Sequence, residues 1–171
     1  ATGLPSSGNL AITTAGVISG TPLNADVGAH TIVVTATDDD STPASVTDTY
    51  ILTVTNTNDA PTVASAISDV SAAEDAAYSL DVSGTCTDVD VGDSLAYTIS
   101  GAPGDLAISG TTISGTPVNA DVGAHTITVT CTDDSSAAAS ASDDYILTVT
   151  NTNDAPTVAS AISDASTAED A

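Results

Sequence analysis

Closely spaced carboxylates and amides are the side chains here that could do chemistry, and the chemistry they suit is binding a hard cation. Two identical stretches carry them, Asn56-Thr57-Asn58-Asp59-Ala60-Pro61 and Asn151-Thr152-Asn153-Asp154-Ala155-Pro156, and alternate aspartates mark a third, Asp88-Val89-Asp90-Val91-Gly92-Asp93. The chain has 23 acidic residues, no Lys, no Arg and two His, so cations must come from solution. Two carboxylates about 4 Å apart repel by roughly 4 kcal/mol at an effective dielectric near 20, and a bound metal ion relieves that repulsion. Calcium takes roughly six to eight oxygens at about 2.3–2.6 Å from carboxylates, amide carbonyls and water, which Asp/Asn-rich loops can supply. Scattered acids such as Asp48, Asp143 and Asp144 read as solvated surface charge.

Other chemistries are poorly served. Without basic residues there is no phosphate clamp and no basic patch, so nucleic acid and anionic membranes are very poor partners. No apolar run approaches the 18 or so residues of a membrane span. His30 and His125 share one repeat position and have no second His or Cys at zinc spacing. They read as packing or strand-end hydrogen-bonding residues. No Ser-His-Asp arrangement or glycine-rich phosphate loop is present. The acids recur at expected joints and not in a pocket, unlike a glycosidase's paired carboxylates, so an enzyme is not expected. The Asp88 loop also starts like an EF-hand, but its Gly is one place early and Ile99 stands where Glu is required.

The elements that must position these residues are strands. The apolar 41% is mostly Ala, Val, Ile and Leu, with four Tyr and no Phe, Trp or Met. Such β-branched composition, with Thr, Ser, Gly and Pro, favours short strands. Residues 18–76 aligned with 113–171 give 48 identities in 59 positions without gaps, so the unit is about 95 residues, a common sandwich size. The hinges divide the chain into the latter part of one repeat (1–58), a complete repeat (59–153) and the opening of a third (154–171). Seven strands are expected in the complete repeat, at residues 62–67, 77–86, 95–99, 106–108, 112–114, 125–131 and 145–149. His125, Ile127, Val129 and Cys131 share one strand face, and Tyr145, Leu147 and Val149 share another. The expected fold is all-β: tandem antiparallel seven-stranded Greek-key sandwiches, cut from a longer array.

Two motif sets carry a resemblance over nearly the whole chain. Residues 126–133, the strand 145–149 and Asn151-Thr152-Asn153-Asp154-Ala155-Pro156 resemble the end of a cadherin repeat, with its Ala-x-Asp turn and Asp-x-Asn-Asp-Asn-x-Pro linker. Residues 18–28, Ile-Ser-Gly-Thr-Pro-Leu-Asn-Ala-Asp-Val-Gly, are similar to the dystroglycan-type cadherin-like and immunoglobulin-like repeats of large bacterial surface proteins. The resemblance implies calcium at the junctions. At the first, the linker would supply Asn56, Asn58 and Asp59, the following repeat Asp88, Asp90 and Asp133, and the preceding repeat Asn24 and Asp26. At the second, the same roles fall to Asn119, Asp121, Asn151, Asn153 and Asp154, joined by Glu74, with the completing repeat beyond Ala171. Asn56, Asn24 and Asn119 each replace an Asp, and the Asn after Asp59 is missing, which implies fewer or weaker ions.

If Asp88 and Asp133 reach one ion, Cys86 and Cys131, each two residues earlier, lie close enough to bond. A Cys86–Cys131 disulfide is therefore expected, as in many immunoglobulin-like sandwiches, and it would place the protein outside the reducing cytoplasm. The implied function is a calcium-rigidified extracellular rod or filament whose partners are neighbouring copies of the repeat. Two alternatives stay open: an adhesive module for a glycan or cell-surface ligand, and a filament in which residues 154–171 of one subunit complete the first repeat of the next.

Overall fold

A computed structural model describes residues 1–135 and 137–170. Its strands are β1 (Ala11–Ile12), β2 (Ile18–Ser19), β3 (Gly28–Thr37), β4 (Ser45–Val54), β5 (Thr62–Val63), β6 (Val70–Ala73), β7 (Tyr78–Asp81), β8 (Cys86–Thr87), β9 (Ala96–Ser100), β10 (Ala107–Ser109), β11 (Thr112–Gly115), β12 (Gly123–Thr132) and β13 (Ser140–Thr150). Two 3-10 turns, Asn24–Asp26 and Asn119–Asp121, are the only helical elements among the described residues. None of these is long and apolar enough to cross a membrane.

Strands β5 to β13 form the sandwich. One sheet runs β6-β13-β12-β9, the facing one β10-β11-β7, and β5 pairs with β8. Alternation along the two long strands turns Ile127, Val129, Tyr145, Leu147 and Val149 inward, where they meet Val82, Leu106 and Ile113 in one core. Burying such side chains contributes on the order of 1.5–3 kcal/mol each. Both faces foreseen for β12 and β13 are therefore present.

The expected strands are present, with three differences. Of the strand expected at 62–67 only Thr62–Val63 forms, because the N–H groups of Ala64 and Ser65 both turn to the Thr85 carbonyl and the chain bends there. Residues 77–86 do not run as one strand: a turn closed by Thr85 N–H to the Val82 carbonyl (3.0 Å) separates β7 from β8, which turns away to pair with β5. Strand β6 was not anticipated, because Val70-Ser71-Ala72-Ala73 has little strand propensity of its own. It forms because β13 offers an unpaired edge, and among the described residues it is the one strand that pairs in parallel, Leu147 opposite Val70 through Thr150 opposite Ala73.

The Cys86–Cys131 disulfide is present, with a Cα–Cα separation of 6.5 Å. It ties β8 to the buried face of β12. In residues 1–58 the pairing is limited to β1 with β2, β3 with β4, and a bridge between Thr2 and Val33. Packing is correspondingly thin there: Tyr50 is 39% exposed, whereas its counterpart Tyr145 is 1% exposed. The repeated histidines do as expected at a strand end, each ring donating from Nε2 to a 3-10 turn carbonyl, His30 to Asp26 and His125 to Asp121, both at 2.6 Å.

Candidate metal centre

The first linker leaves β4 and enters the sandwich at Pro61, and its polar groups are fixed by the loop that follows β8. Asp90 N–H donates to Asp88 Oδ1 at 2.9 Å, curling this loop on itself. The loop then receives the linker, with Asp59 N–H donating to Asp90 Oδ2 at 2.7 Å. Asn58 Nδ2 donates to Asp133 Oδ2 at 3.1 Å, and Asn24 Nδ2, from the preceding repeat, donates to Asp59 Oδ2 at 2.7 Å. Neutral amides thus hold the carboxylates of three segments together where no cationic side chain exists.

Ligand atoms of Asp88, Asp90 and Asp93 all lie within 4.8 Å of one another. Four buried oxygens here, Asn58 Oδ1, Asp88 Oδ2, Asp90 Oδ1 and Asp93 Oδ2, receive no hydrogen bond from the described residues. Buried acceptors without donors are costly, and a carboxylate more so than an amide. Burial pushes the Asp93 carboxyl up from its ordinary range, helped by the charges of Asp134, Asp90, Asp88 and Asp133. Asp133 is pulled down, first by the Asn58 amide and then, against its burial, by Ser135 and the Ala139 N–H. Acceptor-only oxygens at this spacing suit a hard divalent cation.

Asp93 was not among the expected ligands. The signal was present in Val91-Gly92-Asp93, where a turn after two alternate aspartates returns a third to the same side. Asp26 and Asp121 are held otherwise than expected. Asp26 is 2% exposed, and its Oδ1 and Oδ2 accept the N–H groups of Ser7 (3.1 Å) and Leu23 (2.9 Å). These bonds, Leu23's foremost, hold its carboxyl low despite burial. Asp121 likewise accepts Val118 N–H at 2.9 Å. Both cap their 3-10 turns, Asp26 through both carboxylate oxygens and Asp121 through Oδ2. Asn56 and Asn151 are exposed.

At the second linker the pattern recurs. Asn119 Nδ2 donates to Asp154 Oδ2, as Asn24 does to Asp59, and Asn153 Nδ2 donates to the Asp154 carbonyl at 3.4 Å. Glu74 is 1% exposed and meets this linker: its Oε1 accepts Thr152 N–H at 2.6 Å, while its Oε2 has no donor among the described residues.

Facing sheets joined by Greek-key crossings, with a polar linker entering at one end, define a tandem immunoglobulin- or cadherin-like repeat. The chain belongs to the family described as "Putative Ig domain", which it matches over residues 1–55 and 60–150. No curated protein matches it. Among solved structures it is similar to the extracellular cadherin domains 1–5 of protocadherin gamma B2 (17% identity, TM-score 0.61, 88% of this chain and 32% of that one). It is also similar to EC22–24 of mouse cadherin-23 (20% identity, TM-score 0.58, 78% of this chain and 47% of that one). The likeness to an endo-fucoidan hydrolase of glycoside hydrolase family 107 has a TM-score of 0.47 at 25% identity, covering 80% of this chain and 20% of that one. That degree of overlap carries no argument about activity. The chain thus spans less than half the length of each of these structures.

Proposed function

We propose that this chain is a structural repeat of an extracellular rod or filament, in which calcium at each linker stiffens the joint between neighbouring modules. The observation that carries this reading is the set of buried oxygens on Asn58, Asp88, Asp90 and Asp93 that no donor meets. An ion bound there takes the three carboxylates and the Asn58 amide oxygen, with Asp59 at its edge. Asn24 and Asp133 hold the linker in register through their hydrogen bonds to Asp59 and Asn58. Glu74, Asn119, Asn151, Asn153 and Asp154 form the matching preceding-module half at the second linker.

The physical gain is at the hinge. A cation shared by the linker and the Asp88 loop turns mutual repulsion into attraction and removes the freedom of a polar, extended connector. The disulfide supports a location outside the reducing cytoplasm, and the partners in this reading are further copies of the same repeat. Calcium titration followed by calorimetry, alongside small-angle scattering with and without chelator, tests it. Saturable binding with a longer, stiffer particle is the expected result; unchanged scattering and melting temperature after chelation would remove calcium from the account.

A further inference from the structure

An open groove of about 730 Å³ lies between β2 and β4, lined by Ile18, Pro22, Leu23, Leu52, Val54 and Thr57 among others. In the complete repeat the corresponding place is filled by β6 and the turn that follows. There β6 pairs in parallel with β13, Asp75 N–H donates to the Pro117 carbonyl at 2.8 Å, and Glu74 Oε1 accepts Thr152 N–H. The counterparts of those acceptors and donors, Pro22 and Thr57, line the groove. Leu52 and Val54 stand where Leu147 and Val149 meet β6.

A segment of the required sequence lies elsewhere in the chain. Residues 154–171 repeat residues 59–76 except that Ala165 replaces Val70 and Thr167 replaces Ala72. Residues 154–170 are all exposed, with Val158 84% and Ile162 98% exposed. The backbone of this tail already carries the turn of the seated segment: Asp170 has φ 57°, matching φ 59° at Asp75. A non-glycine residue rarely adopts that conformation, so the match reports a local preference of the Ala-Glu-Asp sequence.

We propose that the groove is the seat for residues 154–171 of a second copy of this chain, which add a parallel strand beside β4. By the register of β6 on β13, Ala165 stands opposite Leu52, Ser166 opposite Thr53, Thr167 opposite Val54 and Ala168 opposite Thr55. Glu169 then takes the place of Glu74, accepting Thr57 N–H and delivering a carboxylate to the first linker. For that last step the proposal rests on the calcium reading. Ala165 buries less apolar surface than Val70, and Thr167 brings a hydroxyl where Ala72 has none, so the donated strand is held less tightly than the intramolecular one and the assembly is reversible.

Chains given one additional cysteine, with the Cys86–Cys131 disulfide kept, test the seat. A Thr53→Cys chain mixed with a Ser166→Cys chain under mild oxidation should form a reducible heterodimer with calcium present. A Thr148→Cys chain, whose site is equivalent but whose strand edge β6 already covers, should not. Equal cross-linking of Thr53→Cys and Thr148→Cys, or a parent chain that sediments as a monomer at millimolar concentration with calcium, overturns the proposal. Glu169→Gln should raise the calcium concentration needed for cross-linking severalfold; an unchanged midpoint overturns the role of Glu169. Cross-linking that persists in chelator, together with no calorimetric calcium binding, would sink the calcium reading while leaving the seat in place.

Discussion

Asp93 shows how one carboxyl can report on the whole site. Its proton is held more tightly in the folded chain than at the ordinary value of 3.8, because burial and nearby carboxylates both penalise the charge. In chelator its contribution therefore favours the folded state below that value and is lost as pH rises through the folded-state pKa. Asp133 and Asp134 are displaced the other way, so their contribution is present above 3.8 and lost as pH falls through their lower folded-state values. Chelated protein should accordingly be most stable on the acid side of neutrality, and Asp93→Asn should flatten that rise in a series of urea midpoints. With calcium bound the sign reverses, because the ion holds the carboxylates charged and leaves on acidification. In calorimetry the same substitution should weaken calcium binding by about tenfold or more, roughly 1.4 kcal/mol per decade.

Among the elements, β12 joins the most structure: it pairs with both β9 and β13, carries Ile127 and Val129 into the core, and bears Cys131. The disulfide spans a sequence separation of 45, and its reduction should lower stability by about 2–4 kcal/mol, read from denaturant midpoints of oxidised and reduced chain. Ile127→Ala should cost about 2–5 kcal/mol by the same measurement, since the site is fully enclosed. The opening segment is tied down from an unexpected side. Asp143 Oδ2 accepts Ile67 N–H at 2.6 Å, and Asp69 Oδ1 accepts Ile146 N–H at 2.8 Å. Asp143 is thus a clamp on the irregular segment that leads to β6, and not merely the solvated acid it resembles in sequence.

At the scale of the molecule, a net charge of −23 without a single Lys or Arg means that compactness is opposed by self-repulsion. Adding sodium chloride to chelated protein should raise its melting temperature, because the screening length falls from about 10 Å at 0.1 M to about 3 Å at 1 M. Calcium-saturated protein should respond much less, its carboxylates being neutralised where they lie closest. A melting temperature indifferent to salt in both states would show that the charges are too dispersed to matter.

Periodicity made the long strands, their inward faces and the repeat legible in the sequence, since alternation of two is a property of neighbouring residues. The cysteine pair and the linkers could be placed by analogy with a repeat pattern for the same local reason. Where β6 lies, why Asp143 is needed and how Asp26 and Asp121 are used depend on contacts between residues far apart in the chain or on the turns into which they fold. The composition alone required the carboxylates to find their counter-charge outside the protein. Only the tertiary structure decided which oxygens backbone and amide groups satisfy, and which, on Asn58, Asp88, Asp90 and Asp93, are buried with no donor, because hydrogen-bond supply is set by what the fold brings within reach.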